Sequence, residues 1–144
     1  MHSLLPYNPG VLPNKPAPTQ GDSIQFEVSG LPPIKDTRVS IRNKKHKFHY
    51  RFITLRNSAI NAMNGRAWVF SEVEIMLTIR SPKEISIQSR SEYLGGIMDA
   101  LDGSSGFTFT YLPIVFEDDS QVSSCRIAWE KHVEASYLIQ IVFK

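Results

Sequence analysis

The sequence predicts one α/β (α+β) domain with a mixed β-sheet, two main helices and a C-terminal β-hairpin. Apolar and polar residues alternate cleanly between residues 72 and 80, which is the period of a strand. Between residues 51 and 64 the apolar residues recur at steps of three and four, which is the period of a helix. A length of 144 residues with 42% hydrophobic content suits a single core of ordinary size.

The N-terminal residues 1–22 are predicted to form a disordered, proline-rich arm. They contain five of the nine prolines and almost no alternating pattern. The folded domain is therefore expected to span residues 23–144.

The first strand is predicted at residues 23–29, where Ile24, Phe26 and Val28 share one face. The Gly30-Leu31-Pro32-Pro33 sequence ends it. A helix follows over residues 51–64, with Gly65 expected as its C-cap. Its apolar stripe consists of Phe52, Leu55, Ala59 and Met63.

The clearest strand signal lies at residues 72–80. Its apolar face is formed by Val73, Ile75, Leu77 and Ile79. Its polar face is formed by Glu72, Glu74, Thr78 and Arg80. Such alternation predicts a strand with one face in the core.

The second helix is predicted to begin with a capping box at Ser89-Arg90-Ser91-Glu92 and to end at Gly103. Its expected core face consists of Tyr93 or Leu94, Ile97, Met98 and Leu101. Gly95 and Gly96 lie inside it, although each glycine costs about 1 kcal/mol relative to alanine in a helix. This predicts close approach by a neighbouring strand, a second subunit or a phosphate backbone.

The C-terminal part is predicted to contain an inserted strand and a hairpin. Phe107, Phe109 and Tyr111 alternate with threonines, which favours a strand within residues 104–116. Two further strands carry apolar faces formed by Cys125, Ile127 and Trp129, and by Tyr137, Ile139, Ile141 and Phe143. They are expected to pair as a hairpin, with Cys125 in the core rather than acting as a nucleophile.

The net charge of +2 conceals an uneven distribution. Residues 35–56 carry eight basic residues against Asp36 alone, or +7, which leaves −5 elsewhere. Clustered cations with interleaved aromatic rings predict a nucleic-acid-binding surface, and a solvated loop without a partner is the alternative. The expected DNA-binding residues are Lys35, Arg38, Arg42, Lys44, Lys45, Lys47 and Arg51. His46 and His49 lack the further ligands that a zinc site needs.

A single cysteine, Cys125, cannot form an internal disulfide, and the first residues do not resemble a secretory signal. No apolar run approaches the roughly 20 residues that a membrane-spanning helix needs. A cytoplasmic protein without a membrane partner is therefore expected.

The acidic run Glu117-Asp118-Asp119 would by itself indicate only an acidic turn. However, the residues 117–122, Glu-Asp-Asp-Ser-Gln-Val, follow a helix with the sequence Ser-Glu-Tyr-Leu-Gly-Gly-Ile-Met-Asp-Ala-Leu at residues 91–101. This pair of motifs resembles the RusA family of Holliday junction resolvases. The resemblance is specific over these two segments and architectural over most of residues 23–144.

The resemblance implies a homodimer that binds four-way DNA junctions and cuts them with Mg²⁺ or Mn²⁺. Asp118 and Asp119 would hold the metal and act in catalysis, with Asp99 as a further catalytic carboxylate and Glu92 as a further metal ligand. By the same resemblance Ser89, Ser91 and Gly95 occupy the positions of two aspartates and a lysine.

Three hypotheses follow from these replacements. The first is a RusA-like protein that binds branched DNA in recombination or repair without cleaving it, because serine is a poor Mg²⁺ ligand and glycine carries no cation. The alternatives are an active metal-dependent endonuclease built on the remaining carboxylates and a non-catalytic relative that binds a protein.

Overall fold

The computed structural model describes residues 12–34, 41, 43–102, 104–105 and 110–144. Within them the elements are β1 (Ser23–Ser29), α1 (His49–Met63), β2 (Val73–Ser81), α2 (Ile87–Leu101), β3 (Ser104–Ser105), β4 (Thr110–Tyr111), a 3₁₀ turn (Asp119–Gln121), β5 (Val122–Lys131) and β6 (Ser136–Phe143). The predicted class, a mixed sheet with two main helices, is confirmed. Phe107 and Phe109 of the predicted inserted strand lie outside the described residues.

The main sheet has the strand order β1-β6-β2-β5. Strand β6 is antiparallel to both β1 and β2, whereas β2 and β5 are parallel. The described hairpin is the short β3–β4 pair, and the two C-terminal strands do not pair with each other because β2 lies between them.

The connection between β5 and β6 is just long enough to pass over β2. Two strand spacings amount to about 10 Å, and the four residues 132–135 can span about 13 Å. His132 N–H donates to the carbonyl of Ser81 at 3.0 Å, which holds this connection against the end of β2. Consecutive strands usually neighbour each other in a sheet, so the sequence favoured the simpler hairpin.

One face of the sheet forms the core, as predicted from the alternation. The inward side chains of β2 and β6 are buried, namely Val73, Ile75, Leu77, Ile79, Tyr137, Ile139, Ile141 and Phe143. Helix α1 packs against β1 on this side, and α2 packs against α1. The helices therefore lie closer to the β1 side of the sheet than to the β5 side.

Strand β5 forms an edge of the sheet, and this corrects the placement of Cys125. Cys125 is exposed, not in the core, and Ile127 and Trp129 on the same face are only half-buried. A strand at the edge has a neighbour on one side alone. The indole of Trp129 donates to the Ser81 hydroxyl at 2.8 Å, which ties this edge to β2.

Helix α1 begins two residues earlier than the apolar stripe predicts and ends with a left-handed residue. That residue is Asn64, with φ of 51°, rather than the predicted Gly65. The Arg66 guanidinium donates to the carbonyls of Met63 at 2.9 Å and Ala62 at 3.0 Å. These bonds satisfy carbonyl groups that every helix leaves unpaired at its C-terminus.

The described part of the proline-rich arm, residues 12–22, lies along the domain. The amides of Asn14 and Lys15 both donate to the Gly65 carbonyl, at 2.9 and 3.0 Å. At the other end Gly21 N–H donates to Phe143 at 2.8 Å. The domain boundary after residue 22 and the predicted disorder of residues 1–11 stay predictions.

Helix α2 begins one turn before the predicted capping box. Ser86 is its N-cap, and its hydroxyl oxygen accepts from the Ser89 amide at 3.2 Å. Asp102 is the C-cap; Gly103 lies outside the described residues. Tyr93, Ile97, Ala100 and Leu101 are buried, whereas Leu94 and Met98 are half-buried. Neither described helix is both long and apolar enough to cross a membrane.

Gly96 confirms the predicted close approach to α2. A Cβ atom added there would overlap with the backbone carbonyl of Pro33 and would lie 3.1 Å from the Ile34 nitrogen. The approaching group is thus the chain after β1, directly before the basic residues that begin at Lys35. Glycine is required here for space.

We expect Gly96→Ala to lower the free energy of unfolding by about 1–3 kcal/mol, because backbone must move to admit the methyl group. In a helix with free space beside the glycine, the same change would raise the free energy of unfolding by up to about 1 kcal/mol. Urea unfolding measures the difference. Ser91→Ala on the exposed side of the same helix is the control and should change stability by only a few tenths of a kcal/mol. A stabilised Gly96→Ala protein would contradict the close packing.

Candidate nucleic-acid interface and acidic turn

The basic segment, defined here as residues 43–51, leads into the first turn of α1. Lys44, Lys45 and Lys47 are exposed, and Arg51 is half-buried. The other predicted DNA-binding residues, Lys35, Arg38 and Arg42, lie outside the described residues.

Local hydrogen bonds fix the path of the basic segment. The Asn43 side chain accepts from the Lys45 amide at 2.9 Å, and the Asn43 carbonyl accepts from the His46 amide at 2.9 Å. His46 Nδ1 accepts from the Phe48 amide at 2.9 Å, so that ring nitrogen carries no proton. These bonds present the three lysines to solvent.

His46 and His49 are both buried, at 6% and 3% exposure. His49 Nδ1 lies 2.9 Å from the carbonyl of Ile41 and therefore donates to it. Both rings thus have structural roles in holding the turn before α1. Across the described chain no group of three or more His, Cys, Asp or Glu side chains could hold a metal ion.

Two cationic side chains lie at the ring of Phe48. The Arg51 guanidinium carbon lies 4.5 Å from the ring centroid, and the Lys47 ammonium lies 5.1 Å from it. Both distances are within the range of cation–π attraction. One Arg51 nitrogen also donates to the Pro32 carbonyl at 3.4 Å. Arg51 is therefore oriented by its surroundings.

Among the described residues, no carboxylate lies within 4.0 Å of Lys44, Lys45, Lys47 or Arg51. Three other described cations do pair: Arg80 with Glu27 and Glu130, Arg90 with Glu84, and Lys144 with Glu74. Isolated lysines such as Lys83 and Lys131 are also without a carboxylate within 4.0 Å among the described residues, so the basic segment differs in how many such cations lie together. The first turn of α1 contains no acidic residue, and its N-cap, Phe48, supplies no side-chain hydrogen bond.

Arg56 belongs to the same charged stretch of sequence but is fully buried and has a structural role. Its guanidinium donates to the carbonyls of Ala100 at 3.0 Å, Leu112 at 2.8 Å and Asp102 at 3.4 Å. It also lies 4.9 Å from the Tyr111 ring centroid. The charge of Arg56 predicted an exposed position, although Arg56 falls four residues after Phe52, on the apolar stripe.

The acidic turn, residues 117–121, is built around Gln121. The side-chain oxygen of Gln121 accepts from the amides of Glu117 at 2.9 Å and Asp118 at 3.0 Å. Its side-chain nitrogen donates to the carbonyls of Val69 at 2.9 Å and Ser71 at 2.8 Å. Four hydrogen bonds from one amide thus hold the turn against the chain before β2.

Asp118 and Asp119 are both exposed, but their side chains differ in their contacts. Asp118 caps the 3₁₀ turn, and its carboxylate accepts hydrogen bonds from the Gln121 backbone and the Ser120 hydroxyl. Within the described residues the Asp119 carboxylate makes no hydrogen bond. Asp119 is therefore the carboxylate of the pair that is open to a ligand.

The other predicted carboxylates lie on α2. Asp99 is half-buried near the C-terminal end of the helix, and Glu92 is exposed about 10 Å further toward its start. Of the replaced positions, Ser89 accepts from the Ser86 hydroxyl at 3.0 Å within the helix cap. The described residues thus bring Asp118 and Asp119 together, without a third carboxylate in a metal-binding cluster.

No model of a known protein family matches this chain. A search of curated proteins finds no match either.

We expect Gln121→Glu to lower the free energy of unfolding by about 1–3 kcal/mol, because a carboxylate oxygen would replace the amide that donates to Val69 and Ser71. Chemical denaturation at neutral pH measures the loss. Gln25→Glu is the matched control, since Gln25 is exposed and its side chain makes no hydrogen bond with the described residues. Equal effects of the two changes would show that Gln121 does not hold the turn.

Proposed function

We propose that the protein is a RusA-like protein that binds branched, four-way DNA through its basic segment and does not cleave it. The observation that carries this proposal is the cluster of four cations, Lys44, Lys45, Lys47 and Arg51, without an acidic partner among the described residues. Recombination or repair is the process that the resemblance implies, and the cytoplasm is the location that the cysteine content and the N-terminal sequence predict.

The position of the cluster supports an anionic partner. A helix N-terminus carries partial positive charge, so cations there are unfavourable for the helix itself. Phosphates at the start of α1 would offset both this partial charge and the repulsion between Lys47 and Arg51 at the Phe48 ring. Binding would also release the counterions condensed on DNA, which is the main source of affinity for clustered lysines.

Cleavage by a metal-dependent endonuclease is the second candidate, and the open Asp119 carboxylate favours it. Mg²⁺ can be held by one or two carboxylates together with substrate phosphates. Asp118 and Asp119 would be those ligands, and the ion would supply an activated water. The serines at 89 and 91 and the glycine at 95 weigh against this candidate, since they supply neither carboxylate nor cation.

A homodimer is part of the same proposal. A four-way junction has two-fold symmetry, and a two-fold dimer would place two basic segments on equivalent arms. Sedimentation of the free protein and of its junction complex tests this expectation.

Replacing Lys44, Lys45 and Lys47 together with glutamine should weaken binding to a labelled four-way junction steeply. Each lost phosphate contact lowers the slope of log K against log salt by about 0.9, so we expect the slope to fall by about 2–3. Fluorescence anisotropy over a salt series, in the presence of EDTA, measures both quantities.

The control is the triple change of Lys15, Lys83 and Lys131 to glutamine, which removes the same charge from exposed positions outside the basic segment. The control variant should keep most of the parent's affinity for the junction and most of its slope of log K against log salt. Equal losses from both triple variants, or a binding constant that does not depend on salt, would contradict the proposal.

We expect no nicking of an end-labelled four-way junction by the unmodified protein in Mg²⁺ or Mn²⁺, resolved on a denaturing gel. Symmetrical nicks would instead select the endonuclease, and Asp119→Asn should then abolish them while leaving DNA affinity unchanged. Ser89→Asp, Ser91→Asp and Gly95→Lys together can be tested in a protein that makes no nicks by itself. Nicks made by this triple variant would show that the fold positions these residues as in an active site and that only the catalytic side chains are missing.

A further inference from the structure

A cleft of about 340 Å³ lies beside the basic segment. It is bounded by the first turns of α1, the C-terminal end of β1 and the start of β6. Its volume falls near the lower end of the range for sites that bind small molecules. The walls combine apolar surface from Val28 and Leu31 with polar groups from α1.

Arg51 supplies a positive charge at this cleft. Of its five N–H donors, one is used by the described residues, for the Pro32 carbonyl. Stacking on Phe48 holds the guanidinium in place, so its remaining donors are available at little cost in conformational entropy. A guanidinium of this kind matches the geometry of a phosphate.

Tyr137 forms another part of the wall. It is 1% exposed, and its hydroxyl has no hydrogen-bond partner among the described residues. Burial raises the pKa of this hydroxyl far above its usual value, while the nearby Arg51 charge acts in the opposite direction. The group is therefore neutral at physiological pH. Buried hydroxyls are normally paired, so this one is a candidate for contact with a ligand.

Tyr50 stands at the rim of the cleft with 77% of its surface exposed. It is one of the large aromatic side chains left open to solvent in the described chain, and it lies between the lysines and Arg51. Exposed aromatic rings beside cations are the means by which proteins bind unpaired bases, because every base offers a face for stacking.

We propose that this cleft takes one unpaired base of the bound DNA, which stacks on Tyr50 while Arg51 contacts the adjoining phosphate. This inference rests on the proposed DNA binding and adds a preference for unpaired nucleotides. The lysines contribute affinity for any DNA, and the cleft distinguishes a strand with free bases from a closed duplex.

The test compares a labelled oligothymidylate with a fully paired duplex of the same length, by fluorescence anisotropy at one salt concentration. Tyr50→Ala should lower affinity for the single strand about tenfold and leave duplex affinity within about twofold. Tyr50→Phe, which keeps the ring, should behave as the parent. Phe70→Ala is the matched control, because Phe70 is 74% exposed but does not border the cleft.

A variant that fills the cleft distinguishes binding of a base inside the cleft from stacking of a base on the exposed ring of Tyr50 alone. Ala135 borders the cleft, and Ala135→Leu should reduce single-strand affinity by a similar factor without affecting the duplex. If the protein binds both DNAs but Tyr50→Ala and Phe70→Ala have the same effect, the inference is wrong and the proposed function stands. If the protein binds a four-way junction but neither of these two DNAs, the inference is wrong and the proposed function stands. If it binds none of the three, the proposed function itself has failed.

Discussion

The guanidinium of Arg56 joins three parts of the chain that are far apart in sequence. It lies on α1 and donates to carbonyls at the end of α2 and at Leu112. A buried charge is costly unless it is surrounded by hydrogen-bond acceptors. The carbonyls at a helix C-terminus carry partial negative charge and otherwise lack partners. The cation and the helix end therefore satisfy each other, and the position of α2 on α1 depends on this contact.

The acidic turn is positioned by the same connections. The carbonyl of Leu101, at the end of α2, accepts from the amides of Ile114 and Val115, both at 3.1 Å. The Val69 amide donates to Val115 at 2.9 Å, and Gln121 then holds the turn against Val69. Much of the motif at residues 117–122 thus has a structural explanation: Gln121 builds the turn and Asp118 caps it. Among the described residues of this motif, the carboxylates of Glu117 and Asp119 make no hydrogen bond and are left for a chemical role.

The elements that the sequence predicted well are those whose signals are local. The strand at residues 72–80 and the apolar stripe of α1 depend on period alone, and both are found.

The predictions that failed concern contacts between segments that are distant in the sequence. Nothing local indicates that β2 separates β5 from β6, and Cys125 alternates like a core residue although it is exposed on the edge strand. The Gly95-Gly96 pair signalled a close approach, but its partner, the Pro33 carbonyl, required the structure. The basic segment was visible from composition, whereas the burial of Arg56 and the cleft beside Tyr50 were not.

The two ends of α1 differ in a way that stability does not explain. At its C-terminus Arg66 and the left-handed Asn64 satisfy the last carbonyls, and the charge there matches the partial charge of the helix. At its N-terminus the sequence places cations where an acidic residue would stabilise the helix, and Phe48 holds two of them together. An acidic protein surface would satisfy those charges as well as DNA would. It would not account for the exposed ring of Tyr50 beside a cleft, because carboxylates do not need a stacking surface. The combination of an open aromatic ring with cations that have no acidic partner among the described residues therefore favours a nucleic acid as the proposed partner.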